Sequence, residues 1–414
     1  MEFKVKRNEL LDAIRTVLSI VPSNPTHPIL GTVLFKFSSA VVELTGFDLK
    51  TLINAKVDYK TSDDSRPADF CLGMPTAFCK LLESLNDDFV KLTINEEIIT
   101  LSVTNGSYDF PKSALDNYPD TAMDIRGDAL LHVELGNTFA DSFRIISKTI
   151  STDPTKQVLC GFNLKYDKER SIKLAGTNGH KLSWSKIKPP KVWVDGKYIV
   201  DEDLVEELED DETNESDFST NQTLSVDALK TAIPLGDVFQ LYVHEGIYNL
   251  DVFTQVGEEL HQLPYSFAGR MIDGAYPYYE QLIPQTFAHT LTCDLNDLIQ
   301  SLERLMIFNQ KDSFFIIEFD RDASNSQITI NSTNEVSNAS TQINIESGFS
   351  EHVNEFKIGL NLKYALESIK AFKGLGTRRL KIHFSEHGTQ PIVLEPIGSL
   401  FEIKTLVMPV KIRS

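Results

Sequence analysis

Glu9-Leu10-Leu11-Asp12-Ala13-Ile14-Arg15-Thr16-Val17-Leu18 places Leu10, Ile14 and Val17 at i, i+4 and i+7, the spacing of one apolar helix face. The same spacing returns at Phe139, Phe143 and Ile146, and again at Leu298, Leu302 and Leu305. Each trio follows a short alternating segment: Phe3-Lys4-Val5, Leu131-His132-Val133 and Leu291-Thr292-Cys293. A second marker then recurs as Leu44-Thr45-Gly46-Phe47-Asp48, Leu174-Ala175-Gly176-Thr177-Asn178 and Ile330-Asn331-Ser332-Thr333-Asn334. It ends 38, 39 and 36 residues after the leading residue of its helix, and Tyr118-Pro119 and Tyr276-Pro277 close the first two units. An ordered series at nearly fixed offsets predicts three copies of one domain.

The leading residues at 10, 139 and 298 lie 129 and then 159 residues apart, so the second copy is about 30 residues longer. Asp201 to Asp217 accounts for much of the excess, with 11 acids and no base. Such a run repels itself and has little to bury, which predicts a solvated insertion. Within each copy the pattern reads as strand, helix, several strands, helix, more strands. Second helices are expected over Pro75 to Leu85, Val226 to Ile233 and Leu362 to Phe372, and period-2 runs such as Val41-Val42-Glu43-Leu44 predict strands. The fold class is therefore α+β, with domains at 1–126, 127–286 and 287–414 and linkers near Asp120–Asp128 and Pro284–Ala288.

Composition narrows the function. The 414 residues suit about three domains, and 41% hydrophobic content supports real cores. No apolar run approaches the ~20 residues of a membrane span, and Met1-Glu2-Phe3-Lys4-Val5-Lys6 has no signal-peptide core. Cys71, Cys79, Cys160 and Cys293 are scattered, which argues against zinc or disulfides and for a cytoplasmic setting. The net charge of −19 becomes −8 once the 11 acids of the insertion are set aside, so a locally basic face remains compatible with nucleic acid. His180 could suggest a general base, yet no nucleophile elbow, His-Glu-x-x-His or phosphate loop accompanies it. Lys373-Gly374-Leu375-Gly376-Thr377 reads as a helix stop and turn. No cofactor is expected. An enzyme is disfavoured, and the open alternative is a repeat scaffold that binds only proteins.

Four stretches carry a family resemblance. Pro25-Thr26-His27-Pro28-Ile29-Leu30-Gly31, Thr177-Asn178-Gly179-His180-Lys181-Leu182, Arg270-Met271-Ile272-Asp273-Gly274-Ala275-Tyr276-Pro277-Tyr278-Tyr279 and Leu406-Val407-Met408-Pro409-Val410-Lys411-Ile412 resemble, in this order, segments of bacterial sliding clamps, the β subunit of DNA polymerase III. The resemblance spans the chain apart from the acidic insertion. It implies a non-catalytic, head-to-tail homodimeric ring around duplex DNA, helices lining the hole and antiparallel sheets outside. Such a ring grips DNA topologically and slides on sparse phosphate contacts.

The helix faces opposite the apolar trios then offer Arg15, Lys80, Arg144, Lys148, Lys230, Arg304, Lys370 and Lys373 as DNA-binding candidates, although each alone is also an ordinary surface charge. The resemblance further implies a cleft for polymerase and clamp-loader peptides built from Leu159, Thr177, Gly179, His180, Lys181, Leu182, Pro277, Gln281, Leu282, Asn361, Tyr364, Pro391, Met408 and Pro409. Met408 and Tyr364 suit plain packing as well. Tyr108, Ile307 and Phe308 fall at the implied subunit interface. The chain departs from the family at Gln281 and Lys181, where Arg is usual, and at Asn24 and Asp153, loop positions expected to face DNA with Arg and Gln.

Overall fold

In the computed structural model the described residues are 1–61, 67–113, 115, 118–167, 169–199, 218–284, 286–308, 314–320, 327–333, 338–347, 355–386 and 389–411. The acidic run Asp201–Asp217 and the marker residue Asn334 lie outside them. The element order repeats three times as strand, helix, four strands, helix, three strands. The first helices of the copies are α1 (Arg7–Leu18), α3 (Asn137–Ile146) and α5 (Leu295–Phe308), and the second are α2 (Pro75–Ser84), α4 (Asp227–Ala232) and α6 (Leu362–Ala371). Copy two adds a hairpin, Lys191–Val194 with Lys197–Ile199, and copy three adds the short strand Pro409–Val410.

All three apolar trios are buried, so the helical spacing marks the core faces. The helices lie close on their sheets at the second marker. A Cβ on Gly46 would stand 2.5 Å from the Val17 carbonyl oxygen at the end of α1, and one on Gly176 would stand 3.0 Å from that of Ile146 at the end of α3. Glycine recurs there because only hydrogen fits between strand and helix. The second helices follow the expected bounds within about two residues. Pro234 ends α4 in a single-turn 3-10 helix, Ile233–Leu235, and α6 runs into the 3-10 turn Phe372–Leu375, closed by Gly376 at φ +68°.

Contacts divide the chain into two units whose boundaries cut through copy two. The first holds Met1–Gly136, residues 190–199 and Leu224–Met271, and carries one 14-stranded antiparallel sheet. Its first eight strands close on themselves, since Glu2–Lys6 pairs with both Phe89–Ile94 and Thr51–Lys60. At its far edge Tyr198, Trp193, His132 and Tyr242 form an aromatic ladder over adjacent strands. His132 stacks on Trp193 at 4.3 Å and on Tyr242 at 4.1 Å. The segment expected as a linker at Asp120–Asp128 is instead strapped to this sheet. Asn249 donates to the Met123 carbonyl at 2.7 Å, and the Arg126 guanidinium holds Asp251 at 2.8 and 3.0 Å. Met123 is buried, and its polar neighbours need these partners once water is excluded.

The second unit holds Asn137–Pro189, residues 218–223 and Ile272–Ser414, with a 13-stranded antiparallel sheet. Its larger core gathers Leu298, Leu302 and Leu305 of α5 with Leu366 and Ile369 of α6 against the sheet. A smaller one joins Ala175, Leu182, Tyr279, Val393 and Leu406.

Candidate functional site

The turn Thr177–Lys181 connects strands Ile172–Thr177 and Lys181–Ile187, and its side chains fix its shape. Asn178 Oδ1 accepts from the backbone N–H of His180 at 2.9 Å and of Lys181 at 3.0 Å, while Thr177 Oγ1 donates to the Lys181 carbonyl at 2.8 Å. Gly179 takes φ +89°, which a side chain would resist. The tight turn delivers His180 onto Tyr364, with ring centroids 5.3 Å apart and planes 17° from parallel. Tyr364 is placed in turn by Asn361, which caps α6 by accepting the Tyr364 backbone N–H at 3.0 Å.

Lys181 turns inward. Its side chain is only 3% exposed, its Nζ donates to Glu367 Oε2 at 2.5 Å, and it lies 5.7 Å from the centre of the Tyr364 ring. The lysine where the resemblance leads one to expect arginine is thus committed to a carboxylate and an aromatic face. Sequence reasoning missed Glu367, whose signal is its place on the same α6 flank, three residues after Tyr364.

Met408 joins the group by donating its backbone N–H to the His180 carbonyl at 2.9 Å, and its side chain is partly exposed. Leu182 pairs with Leu406 across the strands and forms the buried floor with Tyr279. Leu282 and Gln281 are exposed beside Tyr279 on the 3-10 turn Tyr279–Leu282, with Pro277 exposed just before it. Pro409 pairs with Leu360 next to Asn361, and Pro391 precedes the strand Ile392–Pro396. Leu159 sits on the 3-10 turn Gln157–Cys160 and accepts the Ser151 N–H at 2.9 Å. A cavity of about 780 Å³ opens beside His180, Lys181 and Tyr364 and is lined also by Lys148, Lys156, Lys363 and Lys370. Three candidate peptide residues, His180, Lys181 and Tyr364, therefore share one wall with Lys148 and Lys370 of the candidate DNA set, while the other candidate peptide residues lie outside the lining. Adaptable apolar groups beside orienting polar ones suit an extended peptide.

All eight candidate DNA-binding cations are solvent-exposed and stand off the buried helix faces. Four hold acids: Arg15 with Glu83, Arg144 with Asp141, Lys230 with Asp227 and Lys370 with Glu303. Lys80, Lys148, Arg304 and Lys373 form no salt bridge among the described residues, although the charge of Lys373 also acts on Glu303. Asp153 accepts from the Thr155 N–H and hydroxyl, which holds its carboxyl below the usual range. It therefore stays anionic, which disfavours phosphate at that loop. Asn24 is exposed in its own loop. Tyr108, Ile307 and Phe308 are exposed apolar side chains. Among the described residues no cluster of His, Cys, Asp and Glu is placed to hold a metal, and no helix is long and apolar enough to cross a membrane.

A family model described as DNA polymerase III beta subunit, N-terminal domain, matches residues 1–123. The beta sliding clamp of Synechococcus elongatus is 26% identical over 433 residues that cover 100% of both chains. The DNA polymerase III subunit beta of Pseudomonas aeruginosa superposes with a TM-score of 0.79 at 16% identity over 100% of both chains. The Helicobacter pylori beta clamp, solved bound to a DNA ligase peptide, gives 0.77 at 17% identity over 99% of this chain and 100% of that one. At such identities the two structural matches speak for the fold.

Proposed function

We infer that this chain, a member of the β-subunit family of bacterial DNA polymerase III, is a cytoplasmic, non-catalytic sliding clamp. Two copies close head to tail around duplex DNA, grip it without reading sequence, and tether the replicative polymerase, the clamp loader and other partners by short peptides. The copies are assigned to 1–126, 127–286 and 287–414.

One observation carries the ring reading. Where copy one meets copy two, its third strand after the first helix, Thr51–Lys60, pairs with the last strand of the next copy, Glu259–Arg270, with Leu52 opposite Ala268. Where copy two meets copy three the same two strands pair, Lys181–Ile187 with Glu402–Val407, and Leu182 stands opposite Leu406. The register is equivalent, because Leu52 and Leu182 pair with Phe47 and Thr177 at the same place in their hairpins.

The third pair in this series is Asn338–Ser347 of copy three with Gly106–Ser113 of copy one. Among the described residues, both strands keep part of one edge free. Gly106 to Phe110 bond only to Ile98–Val103, and residues 338–344 bond only to Gln327–Thr333. Open edges invite another strand, and a second chain in head-to-tail order supplies one at each end, which closes the assembly. Carrying the register over sets Asp109 opposite Asn338 and Tyr108 opposite Ala339 of the partner subunit. Tyr108, Ile307 and Phe308 then form the apolar part of that contact.

The eight helix cations serve as sparse phosphate contacts, and the groove around His180, Tyr364 and Met408 takes the partner peptide. Solution mass tests the assembly: the 46.6 kDa chain should run as a dimer at micromolar concentration, and a monomer would overturn the ring.

A further inference from the structure

The helix pairs of copies one and three each carry one ion pair across the two helices, at equivalent positions. In copy one Arg15 meets Glu83 at 2.9 Å, and in copy three Lys370 meets Glu303 at 2.7 Å. Arg15 and Glu303 each stand five residues beyond the leading apolar residue of their helix, Leu10 and Leu298. Glu83 and Lys370 are each the ninth residue of α2 and α6. The acid and the base exchange helices while the pair stays in place.

Stability does not account for this. All four side chains are 42–52% exposed, and exposed pairs contribute little to folding. Each acid nevertheless occupies a cation on the faces read as DNA-facing. A carboxylate at 2.7–2.9 Å competes with phosphate for the same N–H donors, so the cation must leave its partner before it can neutralise DNA.

We propose that Glu83 and Glu303 limit the affinity of the helix faces for DNA, withholding Arg15 and Lys370 from full phosphate contact so that the ring slides. The proposal rests on the reading of these faces as DNA-facing. Both cations move from acid to phosphate and back without a large change in charge on the surface, which keeps the barrier to translocation low.

The test is Glu83→Gln with Glu303→Gln in the intact dimer, measuring affinity for a short duplex against salt. The slope of log K against log salt should steepen by about 0.9 per acid removed, which adds roughly a 3.5-fold loss per freed contact between ~50 and ~200 mM salt. Diffusion along DNA should slow in parallel. Glu169→Gln with Glu402→Gln, which removes two acids paired with the strand lysines Lys186 and Lys404, controls for net charge and should leave the slope unchanged. Lys148→Ala with Lys373→Ala tests the underlying reading and should make the slope shallower. An unchanged slope in the Glu83/Glu303 variant, while the lysine variant responds, overturns the proposal. An equal rise with Glu169→Gln and Glu402→Gln also overturns it. If the lysine variant does not respond, the DNA-facing reading itself fails.

Discussion

The proposed closure can be locked with a disulfide whose geometry is already visible inside the chain. Tyr108 and Ala339 of the partner subunit occupy the positions that Thr405 and Ser183 hold where copies two and three meet. There the two hydroxyls lie 2.7 Å apart in a buried contact. A disulfide needs an S–S bond of ~2.05 Å and Cβ atoms about 3.8 Å apart, so small rotations suffice. Tyr108→Cys with Ala339→Cys should therefore oxidise to a covalent species of about twice 46.6 kDa, cross-linked at both boundaries. The native thiols will not interfere: burial pushes Cys71 up to about 11 and Cys293 up to about 12, and Cys79 is raised as well. Only Cys160 is appreciably exposed, and Cys160→Ser removes it. Non-reducing gels after mild oxidation provide the assay, with each single cysteine as control. Efficient cross-linking of a pair shifted by one residue, with none at 108 and 339, would refute the transferred register, since a one-residue slip turns side chains to opposite faces.

Ile307→Asp with Phe308→Asp should shift the chain to monomer. At 73% and 55% exposure the pair offers about 2–3 kcal/mol of apolar burial per interface, so about 4–6 kcal/mol over the two interfaces of the ring, roughly a thousandfold or more in Kd, and sedimentation at micromolar concentration would expose an unaffected dimer. Tyr364→Ala and Met408→Ala should each weaken a short polymerase-type peptide by about 1–3 kcal/mol; calorimetry showing unchanged affinity in folded variants would move the cleft elsewhere. Acid should destabilise the fold early. Burial holds His132, His244, His289 and His383 below the usual histidine range, so the unfolded chain binds protons first. Their contribution is complete above ~6.5 and is lost as pH falls from there through the folded values. Tm should drop between pH 7.5 and 5.5, and a flat or rising Tm would contradict the assignment.

The fold was legible where spacing alone decides burial. Leu10, Ile14 and Val17 and their two counterparts face the cores because a 3.6-residue period leaves no other face apolar. The glycines at 46 and 176 were visible as repeats, though not as points of helix contact. The sharing of copy two between two sheets was not legible, because strand partners as distant as Leu52 and Ala268 or Leu182 and Leu406 leave no local pattern. Arg126 falls within the stretch expected as a linker, yet Asp251, its partner, lies 125 residues away. At the site, His180, Tyr364 and Met408 came from the resemblance, and the structure brings them together. The inward course of Lys181 depends on Glu367, an acid that helical spacing reads as solvated. Glu83 and Glu303 were invisible for the same reason, since charge on an exposed face carries no sign of its neighbour.

Encirclement of DNA is tested most directly by retention on DNA of different topology. The protein, loaded onto a nicked circular duplex and washed at high salt, should stay bound until the circle is cut with a restriction enzyme, and then run off the ends. Screened phosphate contacts cannot hold it under those conditions, so retention requires a closed ring. Equal loss from circular and linear DNA would contradict the account.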